Sequence, residues 1–368
     1  MKVIQLIARV NQGGTANWLR MLVSQLRENG DIAELLAGFT SYGESEDNSF
    51  ADLHGIRIST LGRNISYLSD FRAIIEVRKI IKEKTPDILN THTAKAGLIG
   101  RIAAIGLSCK VVHTYHGHLL YGYFSPGKTK LLKFTERLMT IFTDGYIFVG
   151  EKVRLELLAE SIGKGKPYKV ILPAIEISEF SETFQLRESY IASDHNFTVG
   201  WLGRITGIKR LDRVLDLARM LPDIQFIVGG EGDIALDERY INQENIKFLG
   251  WVSPTTFWNQ CDLGILTSDN EGIPTSLIEA AVSGVPVISY DVGSVSEIIN
   301  DGETGYLVND LNQMRAKILE LSDDRKSLLI LGENARISAI SKFDKNSFLR
   351  AHADIYSTVI GHLPKNLS

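Results

Sequence analysis

The chain has 368 residues, 44% of them hydrophobic and 23% charged, with a formal net charge of −4; this is ordinary for a soluble α/β protein and long enough for two domains. Residues 1–185 carry a net charge of +4 and residues 186–368 one of −8, an asymmetry compatible with a membrane surface or an anionic lipid-linked partner on the first half and far too weak for nucleic acid. No apolar run approaches the ~20 residues that span a bilayer. Polar NQGGTAN follows MKVIQLIARV where a cleavage site would stand, so a cytoplasmic protein is expected, in contact at most with the inner face of the membrane.

Short apolar runs alternate with helix-period segments along most of the chain, as in doubly wound parallel-sheet domains. In the first half, strands are expected at Lys2–Ala8, Ile32–Ala37, Ile88–Thr91, Val111–Thr114 and Gly145–Val149, and helices at Ala16–Glu28, Phe71–Glu83 and Lys95–Ile105. Gly13 and Gly14 follow the first strand and open a helix at about Thr15, where backbone can approach a phosphate or sugar closely. NQGGTAN is not G-x-G-x-x-G, which argues against a dinucleotide fingerprint. Cys109 and Cys261 sit in apolar surroundings and read as small buried residues of a reduced protein.

At the end of the fourth of these strands, VVHTYHGHLLYGYFSP carries His113, His116 and His118. Without a carboxylate or cysteine cluster beside them, satisfied histidines at a strand terminus are a better reading than zinc, and no metal is expected. Lys128, Lys130, Lys133 and Arg137 are then interleaved with Leu, Phe and Met along 125–142, a pattern shared by an ordinary packing helix and by a helix that meets anionic lipid.

The rhythm breaks between Leu172 and Asn196, a linker with a short helix, and restarts with FTVGWLG, QFIVGGEGD, IKFLGW, DLGILTS and VPVISY. Arg204 lies just beyond the first strand of this second half and Lys209 at the start of a helix, where open α/β sheets place cations for a diphosphate. GGEGD, around Gly230, reads as a tight turn after the next strand. Glu271 falls in the turn after CDLGILTS, and Glu279 about two turns into the helix that follows Pro274. A helix N-terminus offers free N–H groups to a phosphate, and carboxylates beside it accept hydrogen bonds from sugar hydroxyls.

EGIPTSLIEAAVSGVPVISYDVGSVSEI resembles the E-x7-E signature of retaining glycosyltransferases with the two-domain GT-B fold, glycosyltransferase family 4 in particular, and its EGxP, EA, SGVPVI and EI elements follow in family order. NTHTAKAG and HGHLLYGYFSP look like a branch of that family common among capsule and O-antigen gene products. The resemblance implies two Rossmann-like domains facing a cleft, 1–172 on the acceptor side and 173–345 for the nucleotide sugar, with a last helix in 346–368 packing back on the first.

It also implies roles. Glu271 would contact the donor sugar and Glu279 the ribose; the backbone of Gly272, Ile273 and Thr275 beside Pro274 would face the sugar or diphosphate. Arg204 and Lys209 would neutralise the diphosphate, with Gly13, Gly14 and Gly230 close to it, and the segment around Phe248 and Leu249 would read the base. His116 would sit near the donor sugar and the attacking hydroxyl, with His118, His92, Lys95, Tyr121 and Tyr123 on the acceptor side. The implied reaction moves a hexose or N-acetylhexosamine from a nucleotide sugar, UDP-linked by expectation, to a glycan or lipid-diphosphate-linked acceptor, with retention. The donor is a substrate and no cofactor is implied; the chain has no D-x-D triplet. One departure is Pro173–Ala174, where many relatives have an N-G turn entering the linker. A nucleotide-sugar epimerase, a phosphorylase, a nicotinamide dehydrogenase and a GT-B subunit without turnover are the alternatives.

Overall fold

The structure, a computed structural model, describes residues 1–41, 44–62, 65–117, 125–232 and 243–361. Contacts divide the chain into one unit of Met1–Ala174 with Lys345–Ser368 and another of Ile175–Asp344. The chain leaves the first unit just after Pro173–Ala174 and re-enters it at Lys345.

In the first unit the chain runs β1 (Lys2–Ile7), α1 (Gly14–Glu28), β2 (Ile32–Ala37), α2 (Ser49–Asp52), β3 (Ile56–Arg57), α3 (Tyr67–Lys84), β4 (Ile88–His92), α4 (Ala94–Ala104), β5 (Lys110–Tyr115), α5 (Pro126–Met139), β6 (Gly145–Phe148), α6 (Glu151–Ala159) and β7 (Tyr168–Val170). Among the described residues these strands form one sheet in the order β3-β2-β1-β4-β5-β6-β7, every pair parallel. The order reverses between β1 and β4, which makes their carboxyl ends the crevice of this unit. Alternation along the strands sorts the sheet faces. Ile4, Leu6, Leu89 and Val111 join Ala73, Val77, Ala96 and Ile99 of α3 and α4 in one core.

The second unit holds α7 (Ser181–Gln185), α8 (Arg187–Ala192), β8 (Thr198–Leu202), α9 (Leu211–Met220), β9 (Gln225–Gly229), β10 (Ile246–Gly250), α10 (Pro254–Trp258), β11 (Leu263–Leu266), α11 (Thr275–Val282), β12 (Val287–Tyr290), β13 (Gly305–Val308), α12 (Leu311–Asp323) and α13 (Arg325–Lys342). Its described strands are also all parallel, ordered β10-β9-β8-β11-β12-β13, and reverse between β8 and β11. Val199, Trp201, Phe226, Val228, Leu263, Ile265 and Ile288 build its core. The last helix, α14 (Lys345–Ile360), belongs to the first unit and buries Phe348, His352, Ile355, Tyr356 and Val359 there. Residues 362–368 of the expected last helix lie outside the described residues.

Helix α5 packs in an order that its composition does not suggest. Glu136 and Met139 are its buried residues, while Leu131, Phe134 and Leu138 are exposed. Glu136 is drawn inward by a network: Arg101 Nη2 of α4 donates to both its oxygens at 3.0 and 2.9 Å, and the Tyr115 hydroxyl donates at 2.6 Å. Breaking a buried pair leaves an uncompensated charge. Arg101→Met should therefore cost about 3–5 kcal/mol in urea unfolding; a loss under about 1 kcal/mol would contradict a structural role for the pair.

Candidate active site

In the second unit, the loops after β8 and β11 flank the point where strand order reverses. They meet through one ion pair, Lys209 Nζ to Glu271 Oε1 at 2.5 Å, and the Ser268 hydroxyl donates to the same oxygen at 2.6 Å. Glu271 is buried. Among the described residues, Lys209 and Ser268 thus hold the carboxylate at the strand's carboxyl end. Arg204 lies exposed on the loop after β8.

The surrounding backbone is held in place by close approach. Gly230, at φ +126°, comes so near the β8 loop that an added Cβ would stand 2.0 Å from the Gly203 carbonyl oxygen. Gly293, at φ +55°, would put a Cβ 1.7 Å from the carbonyl oxygen of Glu271 itself. Ser294 N donates to Gly272 O at 3.1 Å, tying the next loop to the EGIP turn. Phe248 and Leu249 lie in β10, at the sheet edge beside β9.

Helix α11 begins at Thr275, with Pro274 as its N-cap and Ile273 in the turn before it. Glu279 therefore stands just over one turn into the helix, not two, since it comes four residues after Thr275 at 3.6 residues per turn. It is buried, and among the described residues none donates a hydrogen bond to its carboxyl. Burial first, with Glu179 adding to it, raises this carboxyl to about 7. Such a site gains most from a ligand that donates hydroxyl hydrogen bonds.

In the first unit, Gly13 caps α1 at φ 134° and Gly14 is the first helical residue, one position earlier than the sequence suggested. His116 directly follows β5 and His92 ends β4, so both lie at the carboxyl edge of the sheet. His113 points to the other face, where Thr91 Oγ1 bonds its Nδ1 at 2.8 Å and an added Cβ at Gly97 would strike its ring. His92 is fully buried with both ring nitrogens engaged, Nδ1 with His116 Nε2 at 2.7 Å and Nε2 with Gln5 Oε1 at 2.8 Å. It therefore lies beneath His116, with neither ring nitrogen left open to a further partner. Lys95 opens α4 and pairs with Asp70 Oδ1 at 2.6 Å. His118, Tyr121, Tyr123 and the Asp233 end of GGEGD lie outside the described residues.

Sequence reading passed over Gln5, Ser268 and Tyr356. Gln5 had a visible signal, a polar residue inside the apolar strand KVIQLI. Tyr356 had a weaker one, the spacing of Phe348, His352 and Tyr356 along one helix face. Among the described residues no group of three or more His, Cys, Asp or Glu is placed to hold a metal, and both cysteines are buried and free.

The Glu279 carboxyl fixes a pH dependence. Its folded value, about 7, lies above the ordinary 4.5, so the folded state holds a proton that the unfolded state releases between these values. Stability from this group is lost as pH rises through 7. Glu279→Gln should stabilise the free protein by ~3 kcal/mol at pH 8 and much less at pH 5. Urea unfolding at the two pH values checks this, and equal effects at both would contradict it.

Two family models match the chain in succession: the one described as Glycosyltransferase Family 4 over residues 12–179, and the one described as Glycosyl transferases group 1 over residues 183–338. Among curated proteins, the chain is 26% identical over 328 residues to an Escherichia coli UDP-Gal:alpha-D-GlcNAc-diphosphoundecaprenol alpha-1,3-galactosyltransferase, covering 82% of this chain and 83% of that protein. It is 25% identical to the Staphylococcus aureus capsular polysaccharide biosynthesis glycosyltransferase CapM, covering 81% of this chain and 83% of that one. Among solved structures, Anabaena HepE in complex with UDP aligns with a TM-score of 0.78 at 20% identity, covering 97% of this chain and 100% of that one. Sucrose-phosphate synthase from Thermosynechococcus elongatus aligns with a TM-score of 0.82 at 17% identity, covering 98% and 100%. With a glycosyltransferase model on each of two parallel-sheet units and a GT-B fold throughout, the chain belongs to glycosyltransferase family 4 and is a glycosyltransferase.

Proposed function

We propose that this glycosyltransferase moves a hexose or N-acetylhexosamine from a UDP-sugar to a glycan or lipid-diphosphate-linked acceptor in surface polysaccharide synthesis, with retention at the anomeric carbon. The observation that carries the donor side is the pairing of Lys209 with Glu271 across the switch point, together with a buried Glu279 whose carboxyl no described residue bonds. In this reading Glu271 accepts hydrogen bonds from sugar hydroxyls, and Glu279 accepts them from the ribose. Arg204 and Lys209 neutralise the departing diphosphate, helped by N–H groups at the start of α11, beside Gly272, Ile273 and Thr275. Phe248 and Leu249 lend backbone to the base, and Gly230 lets the chain pass close to the phosphates. The absence of a D-x-D triplet from the sequence favours this cationic neutralisation over a metal-bridged diphosphate.

The acceptor class rests on the activity of the E. coli relative, whose acceptor is a sugar on diphosphoundecaprenol. His116 is assigned to the reacting hydroxyls. Front-face displacement, with the leaving phosphate taking the hydroxyl proton, requires no carboxylate nucleophile on the donor's far side. Calorimetry with UDP, GDP, ADP and NAD should show UDP binding and no NAD binding, with UDP affinity about tenfold weaker in Glu279→Ala, near 1.4 kcal/mol for a charge-assisted bond. Binding of NAD alone would refute the reading; a GDP preference would change the donor.

A peripheral membrane contact is part of the same proposal. No helix among the described residues is long and apolar enough to cross a membrane. Yet α5 turns Leu131, Phe134 and Leu138 outward beside exposed Lys128 and Lys130, and α3 exposes Tyr67, Leu68 and Phe71. Apolar residues with lysines around them suit an anionic lipid surface. Flotation with vesicles rich in anionic lipid should carry the protein, and Leu131→Ser with Phe134→Ser should release it without affecting transfer to a water-soluble acceptor; equal flotation of both proteins would remove this contact.

A further inference from the structure

The alternation that sends His113 to one face of the first sheet sends Gln5, Asn90, His92 and Thr114 to the other, below His116 and against α1 and α14. There they form a continuous hydrogen-bonded chain. Thr114 Oγ1 donates to Asn90 Oδ1 at 2.9 Å, and Asn90 Nδ2 donates to the Tyr356 hydroxyl at 3.0 Å. Gln5 Nε2 donates to the same hydroxyl at 3.2 Å, which turns its carbonyl oxygen toward His92 Nε2 at 2.8 Å. His92 Nδ1 then meets His116 Nε2 at 2.7 Å.

The protons along this chain have one consistent order. An amide oxygen only accepts, so His92 carries its proton on Nε2. A neutral imidazole has one N–H, so His92 Nδ1 is a lone pair and His116 Nε2 must be the donor to it. The remaining lone pair of His116 is on Nδ1. Burial keeps these rings neutral: His92 is held well below its ordinary value, His116 is pushed down to about 3 and His352 to about 4, each by desolvation first. The ring planes are fixed as well. His92 stacks on His116 with centroids 5.0 Å apart, and Trp18 meets His116 edge-on at 5.2 Å while packing on Phe348 and His352.

We propose that Tyr356, Gln5 and His92 are positioning residues that lock His116 in the Nε2-protonated tautomer, so that it presents the Nδ1 lone pair to a substrate hydroxyl. No carboxylate stands in this chain, so His116 accepts a hydrogen bond and orients the hydroxyl without storing its proton. The catalytic part of this inference rests on the role given to His116 above; the tautomer does not, and can be read without any substrate.

Two-bond nitrogen–proton correlation spectra of the full-length protein with 15N-labelled histidine test it. The expected result is a protonated Nε2 and bare Nδ1 on both His92 and His116, assigned with His92→Gln and His116→Gln. Tyr356→Phe, which removes one hydroxyl from a packed ring, should release the Gln5 amide and populate the other His116 tautomer. Where turnover is available, Tyr356→Phe and His92→Gln should lower kcat about 10–100-fold, the range seen when the hydrogen-bond partners of metal-bound histidines are removed, with UDP affinity unchanged. Protonation of His116 Nδ1 in the parent protein overturns the proposal, as does a His116 tautomer that Tyr356→Phe leaves unmoved. Unchanged kcat in both variants would overturn its catalytic part. A correct tautomer in a protein that transfers no sugar would instead refute the proposed function and leave the relay standing.

Discussion

Strand polarity is the constraint on which the rest of the structure depends. In an all-parallel sheet every carboxyl end lies on the same edge, and the loops that leave it are free to carry chemistry because the strands beneath them are locked on both sides. In the second unit, Lys209 and Glu271 come from loops on either side of the reversal between β8 and β11, and their ion pair closes that crevice. In the first unit, Gly13 and His116 follow β1 and β5 and His92 ends β4, strands that are neighbours in the sheet although the chain visits them far apart. This order brings residues at positions 5, 92 and 356 into a single hydrogen-bonded chain.

Charge burial is handled differently at the two glutamates of the second unit. Glu271 is buried but paired, so its charge is compensated before any ligand arrives. Glu279 is buried without a hydrogen-bond donor among the described residues, and its raised pKa is the thermodynamic trace of that cost. A ligand that supplies donors to Glu279 recovers the cost as affinity, a form of binding that discriminates by unmet hydrogen bonds. His116 is the reverse case, a base weakened by burial and oriented by partners, suited to directing a hydroxyl.

Much of the second unit was legible in the sequence because its signals are local. Glu271, Pro274 and Glu279 fall within one strand–turn–helix unit, so their spacing along the chain translates directly into spacing in space. Glu279 stands just over one turn into α11, nearer the helix start than the two turns expected. The relay beneath His116 was not legible because its contacts join residues 24, 87, 266 and 351 positions apart. The outward face of α5 was ambiguous for a related reason. Its lysines and leucines fit either packing, and the residue that decides, Glu136, is drawn in by Arg101 and Tyr115 from two other elements. The two-residue β3 and three-residue β7 at the sheet edges were too short for alternation to reveal.

The central claim is sugar transfer with retention, and the product's anomeric centre tests it most directly. α-Linked UDP-galactose, UDP-glucose and UDP-N-acetylglucosamine would each be incubated with the protein and a lipid-diphosphate-linked sugar acceptor, and the new linkage read by proton NMR. The account predicts one productive donor and an α-linked product, shown by the small gauche coupling of its anomeric proton. A β-linked product with a large diaxial coupling would contradict it.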